Sequence, residues 1–577
     1  MQNAKWVVAF ELAVCAVLVS CLSNNLGVNV VPDRNQPHYR LSATTEILVT
    51  SEAGEKLAEQ PNIPFRDGTP TGTRVVVRPE VVKQTITGIG TSFTESSAFV
   101  LAHLDEQRRA VVMEKIYGES GANFSMARTP IGATDFSVEG KYSYADVPRD
   151  DTLAHFSIAV DKDGFSAARY PGIKDESFDL LPMIKEALAI KAAQNGGSLR
   201  IVASAWTAPT WMKDVDDWYV SPSADNDYQG TGGALKPQYS QTYADYLLRY
   251  LEAYKAEGVD VWGLTPVNEP EGNGGHWESM HFTPESQNAF IKDQLGPTLR
   301  GSDHRDVQVL IYDHNRHNLE AWTDVILGDP QTAEYVGGTA IHWYASTFKV
   351  YEDILDRVRD KFPGFSLIHT EGTIDALGTP APEGVLDPVG FEESGWFDND
   401  EFWWNPNATD WAYTATWAPQ PEDHPRYIPV HRYARNIIVS LNHGVEGWID
   451  WNIVLDQQGG PNHVGNFCGA PIMVDVRSGY VYYTPIYYVL AQFSRTIRPG
   501  DQAVEVTTHL DGLEEDALHA SATRNDDGLL SVQLLNTTKH PVECALQIGA
   551  QFAPITIPAN AVQTVRVPAL ASSPSTP

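Results

Sequence analysis

From Gln84 onward the chain repeats one alternation, a short apolar run ending in polar or glycine residues and then a stretch with helical spacing. The runs are "QTITGIGTSF" (84–93), "FSMARTPIG" (124–132), "LRIVASAW" (199–206), "VWGLTPVNEP" (261–270), "VQVLIYDH" (307–314), "GTAIHWY" (338–344), "FSLIHTEG" (365–372) and "VEGWIDWNIVL" (445–455). Between them, segments such as 96–118, 177–194, 240–258 and 283–300 carry apolar residues at intervals of three and four. Ser, Thr or Asp often stands at the start, where a helix needs a cap. Eight strand–helix alternations predict an α/β fold, a (β/α)8 barrel with its chemistry at the C-terminal strand ends. The polar ends of these runs offer Asp135, Trp206, Glu269, His314, Tyr344, Glu371 and Trp451.

The 577 residues exceed what one barrel needs. The flanks read differently: "TTEILVTS" and "TRVVVRP" before the barrel, "AVEVTTHL", "LLSVQLLN" and "AVQTVRVPAL" after it, all short alternating runs between turn residues. They predict a side antiparallel β-sandwich built from both chain ends. The expected organisation is a leader over 1–21, a segment over 22–83 giving strands to the sandwich, the catalytic barrel over 84–488, the sandwich over 489–570 and a disordered tail over 571–577. Two long connections interrupt the barrel, 213–238 and Gly378 to about Pro429. The second carries Trp396, Trp403, Trp404, Trp411 and Trp417 and is expected to wall the active site.

A formal net charge of -33 argues against nucleic acid, whose binding rests on basic residues that neutralise phosphates. An anionic lipid surface would be approached against repulsion. The N-terminus has an apolar run from Trp6 to Val19 followed by "LVSC", the form of a bacterial lipoprotein signal with Cys21 as the lipidated residue. It predicts export, to the periplasm, the outer membrane or the medium, with a lipid anchor at Cys21 as the one membrane link. The alternative is an ordinary secretory signal cut nearby. Of the four cysteines, Cys468 and Cys544 lie beyond the leader, as one disulfide or two buried thiols.

Glycoside hydrolysis needs two carboxyl groups on opposite sides of one acetal carbon, and on a barrel two strand ends supply such a pair. Glu269 ends the fourth run in "VNEP" and Glu371 the seventh in "HTEG". Alone, Asn-Glu-Pro reads as a turn; at a strand end, with a second strand-end glutamate three strands later, it reads as catalytic. No His and carboxylate cluster has metal-ligand spacing, and neither a metal nor another cofactor is expected.

The segments "ARTPIGATDFS" (127–137), "YSYADVP" (142–148), "SAWTAPTWMK" (204–213), "VNEP" (267–270), "AIHWY" (340–344), "HTEG" (369–372) and "GWIDWNIVLDQQGGPNHVGNFCGAPIMVD" (447–475) together resemble glycoside hydrolase family 30, in its glucosylceramidase branch. The resemblance runs from about Gly88 to Gly500 and more faintly through the sandwich. It implies a retaining β-glucosidase acting on a glycolipid or oligosaccharide, with Glu269 as acid/base and Glu371 as nucleophile. Asn268 would bond the sugar 2-hydroxyl, and Asp135, Trp206, Trp451 and Asn466 match positions that hold the glucose hydroxyls and ring. Arg128 and Tyr344 match residues near the nucleophile and would favour its ionised form. His342 would bond groups behind the reacting pair, although for Arg128 and His342 a buried structural network is an equal reading. The segment after Glu371 is longer than in that branch, and "NHVG" (462–465) also departs from it. The alternatives are a β-1,6-glucanase or related β-glycosidase of the same family and, in another class, a surface lipoprotein that binds carbohydrate without turnover.

Overall fold

The computed structural model describes residues 40–41, 45–138, 140–374, 399–404 and 428–570. Eight parallel strands close into a barrel: β1 (Gly88–Ser92), β2 (Met126–Ile131), β3 (Arg200–Ala205), β4 (Gly263–Thr265), β5 (Gln308–Asn315), β6 (Val336–His342), β7 (Ser366–Glu371) and β8 (Val445–Ile449). Each apolar run of the alternation supplies one barrel strand. β8 pairs with β1 through Trp448 and Ile89, which closes the ring. Met126, Val202, Leu310, Ala340, Ile368 and Ile449 meet in the interior as one buried cluster. Each larger aliphatic among them contributes about 1.5–3 kcal/mol relative to exposure. At Gly90 the neighbouring strand comes so close that a Cβ would lie 1.7 Å from the Met126 carbonyl oxygen, which leaves room for glycine only.

Where a predicted segment divides, a local cause is visible. The 96–118 stretch forms two helices, Glu95–Ala102 and Glu106–Tyr117. Asp105 breaks it by capping the second, its carboxylate accepting from the Arg108 N–H. Within 283–300 the helix widens to π geometry over Ile291–Leu295 just before Pro297, which has no N–H for the regular ladder. The run 445–455 is not one strand. The chain leaves the barrel after Ile449, turns through Asn452 at a φ of 65°, and re-enters as Val454–Asp456 in a separate three-stranded sheet.

Both chain ends do build one sheet. Glu46–Ser51 pairs antiparallel with Ala561–Leu570, and Arg74–Thr85 pairs antiparallel with Gln502–His509. One pairing departs from the expected antiparallel pattern, since Arg74–Val77 runs parallel to Ala545–Ile548. Ile47, Val75, Val77, Val504, Leu530, Val532 and Val565 share its core. Gln492, on the barrel-side helix Pro485–Thr496, donates to the Leu48 and Val562 carbonyls and to Thr564, and accepts from Thr50.

The 213–238 connection folds around the buried ammonium of Lys213, which donates to the carbonyls of Trp218, Gly232 and Ser279 at 2.8, 2.8 and 3.0 Å. Of the second connection, Trp396, Trp411 and Trp417 lie outside the described residues. Trp403 and Trp404, on the short helix Asp400–Trp404, are buried, and Trp404 packs edge-on against His431. These two belong to the core and do not line the catalytic pocket. Cys468 and Cys544 form no disulfide: the first is buried on the barrel side, the second in the sandwich core. Among the described residues no helix is long and apolar enough to cross a membrane.

Candidate active site

A pocket opens at the C-terminal ends of the barrel strands, lined by Asp135, Trp206, Asn268, Glu269, His314, Tyr344, Glu371, Trp451 and Asn466 among others. Arg128 and His342 lie directly behind it, so these eleven residues, all singled out in the sequence, converge on one site.

β4 is short, and Asn268 and Glu269 follow it on a turn that two backbone bonds fix. The Asn268 N–H donates to the Ala205 carbonyl at 2.7 Å and the Glu269 N–H to the Asp313 carbonyl at 2.9 Å. Glu269 is held in the left-handed region at a φ of 47°, a conformation that costs a non-glycine residue of order 1 kcal/mol and that aims its side chain into the pocket. β5 is bulged: Tyr312 and Asp313 have φ values of 72° and 62°, and its register against β6 shifts between Tyr312 and His314. The bulge turns both Asp313 and His314 toward the site, where strict alternation would have sent one outward.

Arg128 is fully buried among the carboxylates of the site. It donates to Glu371 Oε2, to Asn268 Oδ1 at 2.6 Å, to Asp313 Oδ2 at 2.8 Å and to Ser204 at 3.1 Å. Its guanidinium lies 4.7 Å from the Trp206 ring centre, and Trp206 stacks on Trp451 at 5.0 Å. The Tyr344 hydroxyl donates to the other oxygen of Glu371 at 2.9 Å. These two donors favour the ionised carboxylate. Burial acts more strongly the other way and, with the neighbouring Glu269 charge, raises the Glu371 carboxyl above its ordinary range.

Glu269 has different company. Its Oε1 lies 3.1 Å from Nδ1 of His342 and 3.5 Å from Nδ1 of His314, and these imidazoles hold its carboxyl below the ordinary range against the effect of burial. The other nitrogen of His342 faces Asp313 at 3.0 Å. With a carboxylate against each ring nitrogen, His342 carries both protons: burial would lower its pKa, but the surrounding carboxylates push it up to about 9. Asp313 also accepts from Ser204, Thr265 and Thr370, and Arg128 and His342 hold it far below the carboxylate range although burial opposes this. Asp135 behaves oppositely. Burial carries its carboxyl to about 7, while Asn462 and Asn466 donate to its Oδ2 at 3.1 and 3.3 Å.

Spacing in the chain concealed one grouping, because donor atoms of Glu269, His314 and His342 fall within 4.8 Å of one another, near enough to share a cation. Both ring nitrogens of His342 already face carboxylates, Glu269 at 3.1 Å and Asp313 at 3.0 Å. Asp313 was the functional residue hidden from sequence reading, its only signal being its place beside His314 at the end of the fifth run.

A buried pair of carboxylates, one beside Arg and Tyr and the other beside two His, at the loop end of a (β/α)8 barrel, defines a glycoside hydrolase site. The chain belongs to glycoside hydrolase family 30: it matches the Glycosyl hydrolase family 30 TIM-barrel domain over residues 86–379 and 420–497, and the family's beta sandwich domain over 502–565. It is 29% identical over 481 residues to the lysosomal acid glucosylceramidase of Mus musculus, covering 82% of this chain and 79% of the mouse protein. It is 26% identical over 481 residues to an endo-1,6-beta-D-glucanase of Neurospora crassa, covering 82% and 80%. Its fold is similar to the crystal structure of SrfJ from Salmonella typhimurium, at a TM-score of 0.73 and 23% identity, covering 91% of this chain and 99% of that one.

Proposed function

We propose that this glycoside hydrolase releases terminal β-glucosyl residues with retention, by double displacement. Glu371 attacks the anomeric carbon as the glycosidic bond breaks, and Glu269 delivers a proton to the departing oxygen. Glu269 then takes a proton from water, which displaces Glu371 and restores the β configuration. The observation that carries this reading is the unequal company of the two carboxyls. Arg128 and Tyr344 donate to both oxygens of Glu371, which orients it and favours the ionised form a nucleophile needs. Glu269 lies 3.1 Å from Nδ1 of His342, which orients it, and the proton it gives to the departing oxygen in the first step is the one it regains from water in the second. Asp135 and Asn466, with the stacked Trp206 and Trp451, would hold the glucose hydroxyls and ring, and Asn268 its 2-hydroxyl.

Replacing Glu371 by Gln should abolish turnover. The Glu269→Gly variant should lose roughly 100-fold or more on alkyl glucosides but still cleave 4-nitrophenyl β-glucoside in the first step, and azide should rescue it with a β-glucosyl azide as product. An α-azide would overturn the assignment.

A second reading, a β-1,6-glucanase, draws support from the rim just past Glu269. Asn273, His276 and Trp277 line it together with Asn315, a flat ring among polar groups that suits a further sugar better than a lipid. Parallel assays on β-1,6-glucan and glucosylceramide separate the two. A binding protein without turnover is disfavoured by the intact carboxylate pair. Export through the 1–21 leader, with Cys21 as anchor, stays part of the proposal; those residues lie outside the described ones, and labelling with a radioactive fatty acid in a bacterial host tests it.

A further inference from the structure

Glu278 and His463 take no part in the chemistry above, yet they join the two sides of the pocket. Glu278 follows the rim residue Trp277, and its side chain is completely buried. One of its oxygens lies 3.1 Å from Nε2 of His463, and the other is buried without a hydrogen-bond partner. The opposite ring nitrogen of His463 faces the Ser137 carbonyl at 3.1 Å. A carbonyl and a carboxylate both only accept, so the ring holds both protons and the contact is an ion pair. Burying that carboxylate without a cation would be strongly unfavourable. Lys213, also near Glu278, donates to three carbonyls, and burial lowers its pKa to about 7. Asp135 is the other acid that faces His463.

The pair fixes more than itself. The His463 backbone N–H donates to the Asp135 carbonyl at 3.1 Å, and its neighbours Asn462 and Asn466 are the two amides on the Asp135 carboxylate.

We propose that the Glu278–His463 ion pair is a positioning lock, which holds the 462–466 loop and through it Asp135 in register with the rim that carries Trp277. The glycosyl ring and the leaving group are then gripped by loops tied to one another. The proposal rests on reading the pocket as a β-glucosidase site, with both residues in positioning roles.

The full chain is assayed on 4-nitrophenyl β-glucoside as wild type, Glu278→Gln, His463→Gln and the double variant, with His463 titrated by NMR. Contacts that grip ground state and transition state alike act on KM, so each single variant should raise KM about tenfold with kcat within about twofold. The double variant should cost no more than the worse single one, as partners in one contact do. His463 should titrate above about 6.5 in the wild type and fall in Glu278→Gln. Unchanged KM in folded single variants, or penalties that add in the double, would overturn the lock. Should the variants not fold, a wild-type His463 midpoint at or below about 6.5 overturns it equally. A wild type without turnover would instead count against the β-glucosidase reading, while the His463 shift would still decide whether the pair exists.

Discussion

Asp313 accepts from Arg128, His342, Ser204, Thr265 and Thr370, and so balances both the cation behind Glu371 and the imidazolium behind Glu269. Its replacement by Asn should cost about 3 kcal/mol at pH 7, the scale of breaking a buried pair by removing one partner. The pH dependence checks the cause. His342 is held at about 9 against an ordinary value near 6.5, so its stabilising contribution is complete below about 6.5 and is lost as pH rises through about 9. In urea unfolding followed from pH 6 to 10, Asp313→Asn should shrink the loss that the wild type shows across that window; an identical loss in both would contradict the network. Glu269 and Glu371 were legible in the sequence because each closes an apolar run. Asp313 was not, because alternation places 313 and 314 on opposite faces, and only the left-handed residues of the bulge bring both inside.

At the scale of elements, the eight strands and most helices follow from periodicity, and the errors mark places where one side chain overrides it. Asp105 splits a helix, and the 445–455 run divides because Trp451 leaves the barrel to reach the pocket. The 213–238 connection shows no pattern in sequence because its order comes from one buried ammonium gathering carbonyls from three places. Lys213→Met should leave those carbonyls without a donor and cost about 2 kcal/mol. It should also open 213–238 to limited proteolysis while the rest of the barrel stays protected. Cleavage no faster than in the wild type would contradict the role given to Lys213.

Across the whole molecule, the sandwich draws strands from both ends of the chain and is bolted to the barrel through Gln492. The sandwich strands lie on both sides of the barrel segment in the chain, so calorimetry of the wild type should show one transition. Gln492→Ala, which removes the amide that makes four buried hydrogen bonds to the sandwich strands, should lower its midpoint or split it in two. An unchanged midpoint would contradict the bolt. The two flanks were readable as sandwich from turn spacing; the contact between sandwich and barrel was not, since a glutamine on a helix carries no sign of what it will meet.

The most direct test of the account follows hydrolysis of 4-nitrophenyl β-glucoside by NMR, with the anomer observed before mutarotation. Prompt release with β-glucose appearing first is the predicted result. α-Glucose appearing first would contradict double displacement at Glu269 and Glu371, and no release from a folded sample would contradict the β-glucosidase reading.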